Sequence, residues 1–138
     1  RGRRVQVART DVKPPPDAVA REVALVPERP LAIVTTHAAP LIARFPGSVA
    51  LSDTAGDLRQ LVRRGTILIG EVEEWQSRWG ALASLRSVAE IIFDGCSAAD
   101  YRALTRSRLL PPPISAGVCW RFNEDGTASR VRLPPSVM

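Results

Sequence analysis

Glu71, Glu73 and Glu74 follow directly on a short apolar run, Thr66-Ile67-Leu68-Ile69-Gly70, and carry the clearest chemical potential in this chain. An apolar stretch of four or five residues entered through a glycine, Gly65, reads as a strand buried on both faces, as in parallel sheets. Ligands of such sheets sit at the carboxyl ends of the strands. A carboxylate there can hold magnesium against the phosphates of a nucleotide. The partner chemistry is missing: no segment reads Gly-x-x-x-x-Gly-Lys-Ser/Thr, and the only lysine, Lys13, lies in a proline-rich stretch. Magnesium prefers substrate oxygens to side-chain carboxylates alone, whereas acidic residues in a first helical turn complement the helix dipole. The three glutamates therefore read first as a helix start, and no metal site is expected.

Other reactive residue types give weaker signals. His37 is the only histidine and could be a general base beside a nucleophile, but Thr35, Thr36 and Ser52 are candidates by type alone. With no triad pattern, no catalytic residue is expected. Trp75 and Trp79 could stack on bases, yet their spacing places them on one helical face, which favours core packing. Arg102, Arg106 and Arg108 gather at a helix end before a proline run. They could touch phosphates, a partner or a neighbour's nucleotide, or simply compensate the dipole. Cys96 and Cys119 lie far apart with no metal-type spacing and read as buried free thiols of a reducing compartment.

Alternating elements must position these residues. Arg4 to Ala8 reads as an edge strand, Pro14-Pro15-Pro16 as an extended linker, and Arg21 to Val26 as another short strand. From Leu31 the pattern becomes regular. Strands are expected at Leu31–Thr35, Ser48–Leu51, Thr66–Ile69 and Ile91–Phe93. Between them fall a helix over Ala38–Phe45 with Pro40 in its first turn, and a helix capped by Thr54 and Asp57 that runs to Arg64. A long helix follows over Glu71–Val88. Ser97 and Asp100 form a capping box for a helix to about Thr105. Pro111-Pro112-Pro113 ends the unit, and a hairpin follows, from Gly117–Phe122 through a turn at 123–126 to Ala128–Leu133. The fold class is α/β: a parallel sheet with helices on both faces and a C-terminal β-hairpin. Residues 1–30 read as the end of a preceding module plus a linker, and residues 31–138 as one domain.

Composition sets the outer limits. The 138 residues suffice for one domain with a real core, at 45% hydrophobic content. No apolar run approaches the ~20 residues needed to cross a bilayer. The chain begins at Arg1 with no visible signal peptide, and reads as a piece of a larger protein. Net charge is +5, and all but one of the 19 basic residues are arginine. A basic domain can approach nucleic acid or an acidic partner, but the arginines are scattered rather than clustered, as codon bias alone would leave them.

Together these segments resemble the FtsK/SpoIIIE family of motor ATPases, including the EccC-like ATPases of type VII secretion. Arg1-Gly2-Arg3-Arg4-Val5-Gln6-Val7-Ala8 looks like the closing strand of a complete motor module. Residues 31–134 look like one further, degenerate P-loop (RecA-like) module. Thr66 to Glu71 takes the place of the Walker B strand, Asp94 to Arg108 that of the next strand end and helix, and Gly117 to Leu133 that of the closing hairpin. The departures are chemical. Thr35-Thr36-His37-Ala38-Ala39-Pro40 stands where the phosphate loop belongs, with no glycine or lysine, and Pro40 lacks an amide donor. Gly70 replaces the Walker B aspartate, which leaves Glu71 as the Walker-B-like position. The resemblance implies a non-catalytic C-terminal module of an ATP-driven DNA translocase of cell division and chromosome segregation. The alternatives are a recognition or regulatory module of an EccC-like secretion ATPase, or an independent protein-binding domain. It also implies that ATP and magnesium belong only to the parent's active module. Implied partners are that module, duplex DNA or a secreted protein, and further copies in a hexamer. The implied place is the cytoplasmic part of a membrane-anchored protein.

Overall fold

The computed structural model describes residues 21–22, 29–62, 65–78 and 80–134. The expected strand at Arg4–Ala8, the linker at Pro14–Pro16 and the indole of Trp79 lie outside the described residues. Among the described residues, seven strands form one sheet: β1 (Arg21–Glu22), β2 (Leu31–Thr35), β3 (Val49–Ala50), β4 (Ile67–Glu71), β5 (Glu90–Asp94), β6 (Cys119–Phe122) and β7 (Ala128–Arg132). Their spatial order is β1-β7-β6-β5-β2-β4-β3. β3, β4, β2 and β5 run parallel, while β6 is antiparallel to both β5 and β7. The two residues of β1, sited before Leu31, pair in parallel with Val131 and Arg132. The molecule is thus α/β with a mostly parallel sheet that ends in an antiparallel hairpin.

β2 is buried along its whole length, Leu-Ala-Ile-Val-Thr, as the central strand of a two-sided sheet must be. Alternate side chains feed two separate cores. Ala32, Val34, Leu68, Ile91 and Phe93 pack under α2 (Leu58–Leu61), α3 (Val72–Ser77), α4 (Ala81–Leu85) and α5 (Ala98–Thr105). Leu31, Ile33, Ile67, Ile69 and Ile92 pack on the other face, which α1 (Ala38–Arg44) covers through Ala38, Leu41 and the adjacent Phe45. Among the described residues, helices lie on both faces, as expected, but four to one.

Local codes set most boundaries. Ser97 accepts from the Asp100 amide at 3.0 Å, and Asp100 accepts in return from the Ser97 amide, which starts α5 as a capping box. Pro40 stands in the first turn of α1, where its missing donor breaks no helical bond. Two helices depart from expectation. The stretch Glu71–Val88 is two short helices, because Gly80 takes φ +80° and breaks the repeat between α3 and α4. Among the described residues of the stretch Thr54–Arg64, helix forms only at Leu58–Leu61, and Arg63 and Arg64 lie outside the described residues. There Asp57 alone is the N-cap, and Thr54 instead donates to the Leu51 carbonyl at 2.7 Å to close a 3-10 turn. Gly56, at φ +79°, separates the two turns. Among the described residues, no helix is long and apolar enough to cross a membrane.

Candidate functional site at the carboxyl edge of the sheet

β2 leads through α1 toward β3, and β5 leads through α5 toward β6, so the loops leave two adjacent strands in opposite directions. In open α/β sheets such a divergence leaves a crevice beyond the carboxyl ends, where ligands bind. Strand register sets what lines it. Thr35 pairs with Glu71 on one side and with Asp94 on the other. The antiparallel register of β5 and β6 brings Cys119 beside Asp94. Glu71, Thr35, Asp94 and Cys119 therefore form one row across four strands, about 4.8 Å apart per strand, on the face covered by α1.

The row is bonded to itself. The Thr35 hydroxyl donates to Asp94 Oδ2 at 3.1 Å, and the Cys119 thiol donates to Asp94 Oδ1 at 3.3 Å. Beside them the Thr36 hydroxyl donates to the Gly95 carbonyl at 3.3 Å. Two hydroxyl bonds thus bridge the divergence of β2 and β5. The His37 amide donates to Thr35 Oγ1 at 3.2 Å, and the Ala38 amide donates to Glu71 Oε2 at 3.2 Å. Those amides open α1, the position at which a phosphate would be gripped after a first strand. One is taken by a hydroxyl, the other by a carboxylate, and Pro40 has none to offer. Glu71 also caps α3: its own amide donates to Glu74 Oε1 at 2.8 Å, within a capping box. Glu73 and Glu74 occupy the first turn of α3, so the acidic run has the helix-start role that its spacing predicts.

The opposite face of this edge is closed by packing. Trp75 is 2% exposed, and its indole N–H is shared between the carbonyls of Ile33 and Gly70, at 3.2 and 3.1 Å. A Cβ at residue 70 would lie 2.7 Å from Leu51 Cβ and 2.8 Å from Trp75 Nε1. Any side chain there would force Leu51 and Trp75 to shift, so glycine is the residue that suits the position.

Reactivity is suppressed along with access. Burial pushes the Cys96 thiol up to about 12, with the Asp100 and Asp94 charges adding to the effect. Burial and then Asp94 raise the Cys119 thiol further. Both cysteines are buried free thiols, held protonated and poor as nucleophiles. The His37 side chain is exposed, while Thr35 is buried and its hydroxyl is aimed at Asp94, so base and nucleophile are not brought together. Ser52 lies on the exposed 3-10 turn. Among the described residues, no group of three or more His, Cys, Asp or Glu side chains could hold a metal ion.

Arg102, Arg106 and Arg108 are all exposed but belong elsewhere. α5 starts at the carboxyl edge and runs away from it, so its arginine end and Glu71 are not brought together. Arg106 closes the helix in the left-handed region, φ 58°, with its amide on the Arg102 carbonyl at 2.8 Å. It also lines a groove of 470 Å³ between α3–α4 and α5. Sequence reasoning did not find Asp94 or Cys119 as partners of Thr35. Their only signal is strand register, which a single sequence does not display. No family model matches this chain, and neither a curated protein nor a solved structure matches it.

Proposed function

We propose that this chain is a degenerate RecA-like, non-catalytic C-terminal module of an FtsK/SpoIIIE-type ATP-driven DNA translocase of cell division and chromosome segregation. One observation carries the reading. The Glu71 carboxylate bonds the first amide of α1 and so puts the chain's own anion where a nucleotide phosphate would have to sit. A negative charge fixed there repels a triphosphate, and the lysine and free amides that would attract one are missing. In this reading ATP and magnesium belong to an active module elsewhere in the parent, which assembles as a hexamer in the cytoplasmic part of a membrane-anchored protein. This module packs on its active neighbour and offers duplex DNA the exposed guanidiniums of Arg102, Arg106 and Arg108.

A second reading has its own observation. Leu109 and Leu110 are 53% and 71% exposed beside Pro111-Pro112-Pro113. An apolar pair held out by a stiff proline run suits a protein contact more than a phosphate backbone. That favours a recognition or regulatory module of an EccC-like secretion ATPase, or an independent protein-binding domain.

Two titrations test these readings. Calorimetry with Mg-ATP on the chain should give no heat of binding, and micromolar affinity would overturn the non-catalytic assignment. Duplex DNA should bind weakly at about 50 mM salt and be lost near about 200 mM. The Arg102→Ala/Arg106→Ala/Arg108→Ala variant should show a shallower salt slope. Absence of binding at the lower salt would remove the DNA reading and leave the protein-facing one.

A further inference from the structure

The groove beside α5 is built unlike the carboxyl edge. It lies between the α3–α4 bend and α5, has a volume of about 470 Å³ and includes Leu82, Leu104 and Phe122 in its lining. That volume falls within the ~300–1,000 Å³ of small-molecule sites. Arg78, Arg86 and Arg106 are in its lining, and no acidic side chain is among the described lining residues.

Both guanidiniums are fixed, and by neutral partners. Arg78 donates to the Thr54 carbonyl and hydroxyl and to the Gly56 carbonyl. Arg86 donates to the carbonyls of Asn123 and Glu124, and its guanidinium carbon lies 4.4 Å from the centroid of the Phe122 ring. Among the described residues, none of these hydrogen-bond partners is a carboxylate. Two positive charges are therefore held in place beside apolar lining by neutral hydrogen-bond partners, with the Asp125 carboxylate near Arg86 but not bonded to it, and each guanidinium has more donors than these bonds use.

We propose that this groove is a binding site for a small organic anion, with a flat apolar body against Leu104 and Phe122 and its charged head between Arg78 and Arg86. This goes beyond the function proposed above and does not depend on it, since it requires neither nucleotide, DNA nor a motor.

The probe is 8-anilinonaphthalene-1-sulfonate, with the uncharged N-phenyl-1-naphthylamine as its control, titrated by fluorescence into the chain. The sulfonate should bind at one saturable site with micromolar affinity, about tenfold more tightly than the neutral dye. Arg86→Gln should weaken the sulfonate about fivefold to tenfold and leave the neutral dye unchanged. Because Arg86 also ties down the hairpin turn, a second variant protects the test. Ala103 is exposed on α5 and lines the groove. Ala103→Glu should also weaken the sulfonate about fivefold, with an unchanged cooperative melt and unchanged binding of the neutral dye. Equal affinity for the two dyes, or a sulfonate affinity that Ala103→Glu leaves unchanged, would overturn the proposal.

Discussion

The carboxyl edge of the parallel strands and the groove beside α5 both concentrate polar side chains, yet they are built in opposite ways. At the edge each donor meets an acceptor of the chain itself: Thr35 and Cys119 meet Asp94, and the α1 amides meet Thr35 and Glu71. At the groove two cations are held by neutral carbonyls over an unfilled volume. The edge is where the fold would place a ligand, and it is saturated. The groove has no special standing in the topology, yet charge and space remain there. Topological position alone therefore does not make a site. A ligand needs polar groups left unmatched and room to reach them, and the two regions separate those requirements.

The strongest way to break this contrast is to force a carboxylate into the edge. Gly70→Asp must displace Leu51 and Trp75 and bury an unpaired charge, and should cost more than about 4 kcal/mol in urea unfolding. Magnesium should not restore the loss. A variant as stable as the parent would show that the edge is adaptable rather than closed.

Trp75→Phe keeps most of the packing but leaves the Ile33 and Gly70 carbonyls without their shared indole donor. The expected cost is about 1–3 kcal/mol. An unchanged denaturation midpoint would mean that shape alone closes this face.

The thiols test the polar row through pH. Their folded pKa values are raised, so the protonated form is favoured in the native state, and the stability from this source is fully present below the unfolded value. It is lost as pH rises through the folded value, which for Cys96 means a window from about 9 to 12. Stability should fall across that window, and Cys96→Ala should flatten the fall. An equally steep fall in the variant would assign the alkaline loss to other groups.

The smallest effect concerns the cluster of Tyr101, Phe93, Trp120 and Phe122, where the Tyr101 hydroxyl is buried without a partner among the described residues. Tyr101→Phe should leave stability unchanged or raise it by up to about 1 kcal/mol. A loss of more than that would reveal a bond to the hydroxyl and a second saturated polar centre.

Sequence by itself determined what depends on neighbours along the chain. Strand and helix alternation from Leu31 implied the parallel sheet. Ser97 and Asp100 marked the start of α5, Pro40 suited the first turn of α1, and the Asn123–Gly126 turn joined the hairpin strands. Each works within about four residues, the range of a turn or a cap. That no segment reads Gly-x-x-x-x-Gly-Lys-Ser/Thr is likewise a local property of the sequence.

Tertiary structure decided the rest. Thr35, Glu71, Asp94 and Cys119 are tens of residues apart, and only strand register aligns them in one row. The same assembly explains Gly70: the position requires glycine because Leu51 and Trp75 converge on it from other elements. Even the break at Gly80 belongs here. Glycine is tolerated inside a helix at a cost of about 1 kcal/mol, so the spacing of Trp75, Leu82 and Leu85 fitted one continuous helix. Packing both α3 and α4 against the same core took the alternative that Gly80 permits, because burying apolar side chains on a shared surface outweighs the few hydrogen bonds of an unbroken turn.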